Sequence, residues 1–486
     1  MGINKSSYNN NVRIIQFGTG MLLRALPDWL IDHANKKGLY DGSIVLVKST
    51  SADKGALEKQ HGQYTVLERG TLNGQVIDRA WPVTSVSGIL AASNQWPEVL
   101  EVMRSPHLEL VISNTTEAGL VYRPETLDDV AVPVSFPGKL TRCLLERFRT
   151  FSGEATSGLV ILPTELLVDN GLILRNFVIR HARENNLGEA FIHWVEQHNR
   201  FCSTLVDRIV PGRCEPDDMV TVDGVTFCDE AHTAAEPYLL WAIEGDEEIR
   251  RRIGFYGVHP GLVVTPDLTP YREQKLRILN GSNTMVAAVG WLAGCDTTYD
   301  TMTNEQVCRY TVNLIREEIL PTIAGRCPQA ESFAQETLDR FRNAYIRYPL
   351  LTIARQYSSK MNSRNVETIF RYVESNGALP QRLCIGLAAF FVFWQAAGKD
   401  EKGWYGLRGD RKFYYEDDHA GFLAPLISRM GHDVGQIKKV IDEVFSYSPI
   451  FSRSLSEIPG LTECVAGYIS AIQQNGMAEV LRNSEV

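Results

Sequence analysis

The 486-residue sequence lacks the features that mark membrane, secreted and disulfide-bonded proteins. Its longest apolar runs, around residues 384–393, are too short for a bilayer span, and residues 1–11 contain no apolar core of a signal peptide. The nine cysteines are scattered, odd in number and never spaced Cys-x-x-Cys, which argues against a disulfide framework and a zinc knuckle. We therefore expect a cytoplasmic protein with no membrane partner.

Net positive charge is also missing. The chain has 49 Lys and Arg against 58 Asp and Glu, and the resulting net charge of −9 argues against a surface for the phosphate backbone of nucleic acids. Hydrophobic residues make up 44% and charged residues 22%, as is typical of a folded globular protein. A chain of this length is expected to form two domains.

The N-terminal part of the chain alternates predicted strands and helices. The apolar segment 12–17 predicts a buried strand, and a glycine turn, an amphipathic helix over 22–37 and a second strand at 44–47 follow it. Later segments repeat the alternation, with strands predicted at 108–113 and 159–162 and helices at 94–104 and 139–150. This order predicts an α/β domain whose mostly parallel sheet is covered on both faces.

The pattern changes in the second half of the chain. An Asp-Gly turn predicts a β-hairpin over 221–226, and Pro266 and Pro270 interrupt regular structure. Beyond them, spaced apolar positions predict helices almost throughout. We therefore expect an α/β domain over 1–270 and a mostly α-helical domain over 271–486, with a site at their junction.

The glycine turn is a candidate dinucleotide site. Glycines at 18 and 20, between a strand and a helix, let the backbone approach a pyrophosphate, although a plain strand-to-helix turn would look the same. Leu23 stands where a third glycine is usual, and Arg24 could reach a phosphate from the first helical turn. The predicted contacts from this segment are Phe17, Gly18, Thr19, Gly20 and Arg24.

Two later segments complete the predicted cofactor site. No carboxylate follows the second strand, where an acidic residue would bind the ribose 2′-hydroxyl. Lys48 and Ser49 stand there instead and could tolerate a 2′-phosphate, so NAD and NADP both stay open. Asn114 and Thr115, at the end of the third strand, are predicted to line the nicotinamide side, although Asn114 also suits a turn.

Residues 275–283, Lys-Leu-Arg-Ile-Leu-Asn-Gly-Ser-Asn, put one amine and two amides on a single predicted helix. On an ideal α-helix, Asn280 and Asn283 lie about 60° apart and Lys275 lies about 80° from Asn283. A lysine can protonate a carbonyl oxygen and amides can hold the resulting alkoxide, without a metal. The alternative is a solvated lysine on a helix that ends near Asn280.

A catalytic lysine needs a lowered pKa near neutral pH. Arg272 and Arg277 are neighbouring cations that could lower the pKa of Lys275. The same arginines are equally plausible as clamps for the carboxylate of an acidic sugar.

The sequence resembles the long-chain polyol dehydrogenase/reductase family, the mannitol dehydrogenase group. The matching segments follow one another over nearly the whole chain, and as a set they are more specific than the glycine turn alone. They are Phe17–Arg24, Tyr64–Arg69, Ser135–Thr141, Pro163–Leu166 with Asp169–Gly171, Val206–Pro211 and Lys275–Asn283. The resemblance implies an NAD-dependent Rossmann-type N-terminal domain, a mostly helical C-terminal domain and catalysis without a metal.

The resemblance also implies roles for individual residues. Lys275 matches the family's general acid/base and Asn280 its alkoxide-stabilising amide. Asn283 stands where the family usually has histidine, so a polar side chain remains but no imidazole. Glu165 puts a carboxylate at the second oxyanion-binding position, where mannitol dehydrogenases carry Asp-Asn-Leu, and this resembles the branch that acts on keto-hexuronates.

The expected reaction is the reduction of a keto-hexuronate, tagaturonate, to altronate with NADH, and the reverse oxidation. Arg272, Lys360 and Arg364 are candidates for binding the substrate carboxylate. Two alternatives stay open, namely a polyol or ketose reductase of the mannitol 2-dehydrogenase kind and a dinucleotide-binding sensor without turnover. The resemblance further implies a monomer or a small homo-oligomer.

Overall fold

A computed structural model describes residues 11–48, 55–115, 119–128, 131–211 and 219–483. The described residues form two compact units. Unit 1 lies within Met1–Arg69 and Ile77–Leu268, and unit 2 within Gly70–Val76 and Thr269–Val486. None of the helices in the described ranges combines the length and the apolar composition that a bilayer span needs.

Unit 1 is built on a parallel sheet. The strands of unit 1 are β1 (Val12–Phe17), β2 (Ser43–Lys48), β3 (Tyr64–Leu72), β4 (Gln75–Val83), β5 (Val86–Ala91), β6 (Leu110–Ser113), β7 (Val160–Pro163), β8 (Arg200–Phe201), β9 (Thr204–Asp207), β10 (Met219–Val222), β11 (Val225–Cys228), β12 (Thr233–Ala235), β13 (Leu240–Glu244) and β14 (Leu262–Thr265). The adjoining ends of β3 and β4, within Gly70–Val76, belong to unit 2. Six of them form the main sheet in the order β5-β2-β1-β6-β7-β8, and each neighbouring pair is parallel. The prediction of a parallel α/β domain is confirmed.

Both faces of this sheet are buried. Neighbouring residues of one strand point into different apolar clusters, with Ile14 and Leu110 in one and Ile15 and Val111 in the other. Burial on both faces explains why these strands read as continuous apolar runs rather than as alternating ones. The strand order reverses between β1 and β6, which is where open parallel sheets bind ligands.

The helices of unit 1 cover the sheet. They are α1 (Met21–Ala25), α2 (Pro27–Lys36), α3 (Gly55–Lys59), α4 (Trp96–Met103), α5 (Phe136–Thr150), α6 (Asn170–Glu184), α7 (Glu189–His198) and α8 (Glu247–Arg252). The single helix predicted over 22–37 is wrong, because Pro27 divides it into α1 and α2. Proline has no N–H to donate and its ring crowds the preceding turn, so a new helix begins at Pro27.

Smaller sheets complete unit 1. β12, β3 and β4 form one, and β14, β13 and β9 form another. The predicted hairpin is confirmed as the antiparallel pair β10 and β11. Its turn residues Asp223 (φ 49°) and Gly224 (φ 80°) both have left-handed backbone, as a tight two-residue hairpin requires.

Unit 2 is mostly helical. Its α-helices are α9 (Thr269–Gln274), α10 (Ser282–Leu292), α11 (Thr298–Thr303), α12 (Glu305–Asn313), α13 (Ala330–Phe341), α14 (Leu350–Ile353), α15 (Tyr357–Met361), α16 (Glu367–Asn376), α17 (Gln381–Phe393), α18 (Ala420–Ile427), α19 (Val434–Phe445), α20 (Leu461–Asn475) and α21 (Met477–Asn483). The core helix α17 packs against α10 and α20. The prediction of a helical C-terminal domain is confirmed.

Unit 2 also contains elements that the sequence pattern did not predict. Three segments are π-helices, namely π1 (Lys275–Gly281), π2 (Leu314–Ile319) and π3 (Asn362–Val366). An antiparallel sheet of β15 (Gly398–Asp400), β16 (Gly403–Arg408) and β17 (Arg411–Tyr414) interrupts the helices, so the expectation of helices almost throughout missed it. The available signal was Gly409, whose φ of 59° forms the turn between β16 and β17.

Candidate active site

The glycine turn lies at the carboxyl end of β1, beside the ends of β2 and β6. Gly18 N donates to Val47 O at 3.0 Å, and Asn114 N donates to Phe17 O at 3.1 Å. Gly18 has a φ of +129°, and a Cβ there would lie 2.9 Å from Leu23 Cδ1 and 3.0 Å from Asn114 O. Only glycine fits this position.

The turn has the shape that a dinucleotide requires. A Cβ built on Gly20 meets nothing within 4 Å, so the backbone at the second glycine faces open space. Leu23, in the place of the third glycine, is buried and fills the space beside Gly18 without covering Gly20. The turn therefore fits a pyrophosphate that approaches the backbone closely.

Arg24 does not extend from this turn. Its side chain is buried, donates to Ala231 O and lies over the Tyr64 ring, with its Cζ atom 5.4 Å from the ring centroid. Burial lowers the pKa of this guanidinium, and the charges of Tyr64 and Asp28 partly oppose that change. The arrangement supports a structural role for Arg24 rather than the predicted phosphate contact.

Asn114, Thr115 and Glu165 are brought together at the ends of β6 and β7. Glu165 Oε1 accepts from Thr115 N at 2.9 Å and from Thr115 Oγ1 at 3.0 Å, and its Oε2 accepts from Ser113 Oγ at 3.2 Å. Asn114 Nδ2 donates to Thr164 O at 3.0 Å and to Thr164 Oγ1 at 2.9 Å. The two loops are thus tied to each other beside the glycine turn.

This network changes the interpretation of Glu165. Its carboxyl group is buried, and burial raises its pKa, while the hydrogen bonds from Thr115 and Ser113 lower it. All of its described partners donate to it, so it accepts hydrogen bonds within the loop. The geometry supports a positioning role for Glu165 rather than the predicted catalytic contact. Ser49, the other predicted cofactor contact, lies outside the described residues.

Lys275 and Asn280 lie on π1, and this corrects the geometry predicted for the segment. The angles expected above assumed an α-helix, in which residues five apart lie about 140° from each other. In a π-helix the hydrogen bonds join residues five apart, so Lys275 and Asn280 stand one turn apart on the same side. The π-helix therefore brings the amine and the first amide closer than the predicted helix would.

The two amides of this segment are available to a ligand. Asn280 and Asn283 are partly exposed, and neither side chain has a hydrogen-bond partner among the described residues. Asn280 uses only its backbone oxygen, which accepts from Thr284 Oγ1 at 2.8 Å. Each amide can therefore donate to a substrate oxygen.

Arg364 and Lys360 form a cationic pair beside this segment. Arg364 Nη1 lies 3.1 Å from Thr284 Oγ1 and 3.5 Å from Asn280 O, and Lys360 Nζ donates to Ile353 O at 2.9 Å. Neither side chain has a carboxylate partner within ion-pair distance in the described part of the chain. Burial lowers the pKa of Lys360 to about 8, helped by the charge of Arg364, and burial lowers the pKa of Arg364 to about 10.

The other predicted cations occupy different surroundings. Arg277 is buried and its Nη1 donates to the carbonyls of Ser363 and Arg364, both at 3.0 Å. These bonds occupy Nη1 with backbone oxygens, and the role of Arg277 as a carboxylate clamp stays a prediction. Arg272 lies in the last turn of α9, three residues before Lys275, and its substrate contact stays a prediction.

Sequence reasoning missed Ser113, Thr164 and Thr284. Each is a small hydroxyl residue that orients a neighbouring functional group, and such residues carry no sequence pattern of their own. Their only signal was position, since Ser113 and Thr164 lie at strand ends and Thr284 lies four residues after Asn280. In the described ranges no group of three or more His, Cys, Asp and Glu side chains is placed to hold a metal ion.

The chain is similar to known proteins over nearly its whole length. Residues 12–254 match the family described as the mannitol dehydrogenase Rossmann domain, and residues 267–473 match the mannitol dehydrogenase C-terminal domain. An altronate oxidoreductase of Halalkalibacterium halodurans is 34% identical over 475 residues, covering 96% of this chain and 92% of that protein. An altronate oxidoreductase of Escherichia coli is 35% identical over 478 residues, covering 97% of this chain and 96% of that protein.

A solved structure shows the same fold. Pseudomonas fluorescens mannitol 2-dehydrogenase, in a ternary complex with NAD and D-mannitol, matches with a TM-score of 0.65 and 22% identity. The match covers 98% of this chain and 94% of that chain.

Proposed function

Because the chain belongs to the mannitol dehydrogenase family, we propose that it interconverts tagaturonate and altronate, reducing the keto group with NADH and oxidising altronate with NAD. The chain is an oxidoreductase that acts on CH–OH groups and uses NAD. The name altronate oxidoreductase, carried by relatives over nearly their full length, supports the choice of substrate. A cytoplasmic location and a monomeric or small homo-oligomeric state remain predictions.

The cationic pair of Arg364 and Lys360 is the observation that carries the substrate class. Removing a cation from water is costly unless a partner compensates for the lost hydration. Both cations are partly buried and have no carboxylate of the protein in ion-pair contact among the described residues. A substrate carboxylate would supply that partner, and neutral polyols have none. An acidic sugar therefore fits this side of the site better than mannitol does.

The reduction needs a hydride at the carbonyl carbon and a proton at its oxygen. NADH supplies the hydride when bound, and the open backbone at Gly18 and Gly20 would hold its pyrophosphate. Lys275 Nζ gives the proton to the oxygen, and in the reverse direction it takes the proton from the hydroxyl. Asn280 and Asn283 donate from Nδ2 to the oxygen while negative charge develops on it.

A panel of substrates tests this proposal. The purified chain is assayed by nicotinamide absorbance with tagaturonate, a second keto-hexuronate and fructose, each with NADH and with NADPH. We expect the highest kcat/KM with tagaturonate and NADH, and oxidation of altronate in the reverse assay. Faster reduction of fructose would instead favour a polyol or ketose reductase. Binding of NADH without oxidation of it by any substrate would favour a dinucleotide sensor.

A further inference from the structure

Two π-helices of unit 2, π1 and π3, each contribute an arginine that contacts the region of the other. Arg277 of π1 donates from Nη1 to the carbonyls of Ser363 and Arg364 in π3, both at 3.0 Å. Arg364 of π3 returns to the region of π1, with its Nη1 3.1 Å from Thr284 Oγ1. The same Nη1 lies 3.5 Å from Asn280 O. Arg277 thus contacts the backbone of π3, and Arg364 contacts the end of π1 and the start of α10.

The backbones of π1 and π3 also approach each other closely. A Cβ built on Gly281 would lie 3.1 Å from Asn365 Oδ1 and 3.4 Å from Arg364 O. The distance to Asn365 Oδ1 is tighter than most real contacts of a Cβ atom, so an added methyl group would require Asn365 to move by a few tenths of an ångström. The absence of a side chain at Gly281 therefore allows π1 to pack closely against Asn365 of π3.

Burial of the Arg277 guanidinium at this contact is energetically unfavourable. Its side chain is only 8% exposed, and its sole described acidic partner is Glu273, 3.5 Å away. Glu273 is shared with Arg371, which lies closer at 2.7 Å, and Arg277 Nε has no hydrogen-bond partner. A guanidinium buried in this way costs free energy, so a purely stabilising contact would be better made by apolar side chains.

We propose that Arg277 is a positioning residue of the reaction, whose bridge to the carbonyls of Ser363 and Arg364 holds π1 in the register that places Lys275 beside Asn280. The bridge has a second effect, because it fixes the backbone from which the Arg364 side chain extends towards the substrate. A single buried guanidinium thereby couples the acid/base group to the carboxylate-binding group. This inference rests on the proposed function, which supplies the roles of Lys275 and Arg364.

The principal test is Arg277→Lys. Lysine keeps the charge but has no planar guanidinium to span two carbonyls, so π1 should shift relative to π3. A shift of about 1 Å can lower turnover by about 100-fold. We expect kcat for altronate oxidation to fall by about 10- to 100-fold, with a change in its pH profile. The Kd for NADH, measured by fluorescence, should not change.

Two further variants separate positioning from general stability. Arg371→Lys is the matched control, because Arg371 shares Glu273 with Arg277 but is not part of the carbonyl bridge; its kcat should fall by less than about 3-fold. Gly281→Ala removes no charged group, but its added methyl group crowds Asn365 of π3. Its kcat should therefore fall by about 5-fold. Gly281→Ala keeps the test decisive if Arg277→Lys does not fold.

Several outcomes would overturn the inference. Arg277→Lys could lower the melting temperature while keeping kcat and its pH profile, or it could weaken NADH binding as much as turnover. Equal losses in Arg277→Lys and Arg371→Lys would point to stability alone. The proposed function has its own contradicting outcomes, namely turnover retained by Lys275→Ala or no turnover of any substrate by the wild-type chain. Because the inference rests on the proposed function, either outcome would overturn the inference as well.

Discussion

Unit 1 and unit 2 build their candidate functional segments in different ways. In unit 1 the site consists largely of backbone, with a glycine turn at the end of β1 and loops that Glu165 ties together. In unit 2 the candidate groups are side chains, an amine, two amides and two cations, presented by π1 and the start of α10 and by α15 and π3. The difference teaches that changes in unit 1 should alter cofactor affinity, whereas changes in unit 2 should alter chemistry and substrate choice.

The largest expected effect, from Lys275→Ala, tests whether chemistry belongs to unit 2. Removal of a general acid/base typically costs about 10²- to 10⁴-fold in rate, so kcat in both directions should fall within that range. The Kd for NADH should remain unchanged, because the glycine turn belongs to unit 1. Stopped-flow absorbance and fluorescence titration measure the two quantities.

A lysine elsewhere in unit 2 provides the control for that experiment. Lys438 on α19 is partly exposed and pairs with the exposed Glu463 at 3.1 Å, so Lys438→Ala should keep full turnover. If Lys275→Ala retained more than about a tenth of the wild-type kcat, the amine would have no essential role and the comparison between the units would lose its basis.

The sequence predicted the local geometry of the candidate segments better in unit 1 than in unit 2. A glycine turn between an apolar strand and a helix is a local pattern, and Gly18 and Asn114 do lie at neighbouring strand ends. The position of the Arg24 side chain was not predictable, because it depends on a contact with Ala231, more than two hundred residues away in the chain. Local patterns predict where the backbone turns, and distant contacts decide where a long side chain goes.

The π-helices of unit 2 could not be read from the sequence. Apolar spacing predicted a helix through residues 275–283. A π-helix has the same kind of composition as an α-helix, and differs in that its hydrogen bonds join residues five apart instead of four. The contact that accompanies π1 here is long-range, from Arg277 to the carbonyls of π3. The sequence therefore proposed the residues of an acid/base segment, whereas it did not predict the π-helical geometry between Lys275 and Asn280.

A smaller effect, from Arg364→Gln, tests whether unit 2 selects the substrate by charge. A hydrogen bond to a charged group contributes about 1.5–3 kcal/mol, so KM for altronate should rise by about 10- to 100-fold. KM for mannitol, a neutral polyol, should change by less than about 3-fold if the chain turns it over. Steady-state kinetics with the two substrates measure this difference between the changes in KM.

Thr284→Val is the matched control for the change at Arg364. It removes the hydroxyl that lies 3.1 Å from Arg364 Nη1 but leaves the guanidinium in place for a substrate. Its KM for altronate should therefore change much less than that of Arg364→Gln. Equal losses in the two variants, or equal losses for altronate and mannitol, would mean that Arg364 supports the packing of π1 and does not bind a carboxylate.

The smallest expected effect concerns the stability of unit 1 behind its glycine turn. Asp28 is fully buried, and this burial raises its pKa to about 7, although hydrogen bonds from Tyr64 and Gln16 partly oppose the rise. Gln16 Nε2 also donates to Gly18 O at 3.3 Å, so the carboxyl group adjoins the cofactor turn. Asp28 should therefore be protonated in the folded chain at pH 6 and largely ionised at pH 8.

The sign of the pH dependence follows from proton binding. The folded state holds a proton on Asp28 up to about pH 7, whereas the unfolded state releases it near pH 3.8, so the contribution of Asp28 to stability falls as pH rises through 7. Between pH 6 and pH 8 the loss should be about 1 kcal/mol. Asp28→Asn cannot ionise, so its melting temperature relative to wild type should be higher at pH 8 than at pH 6. A pH-independent difference would show that Asp28 does not titrate in this range. In either case kcat at pH 7 should change little, because the proposed acid/base and substrate-binding groups lie in unit 2.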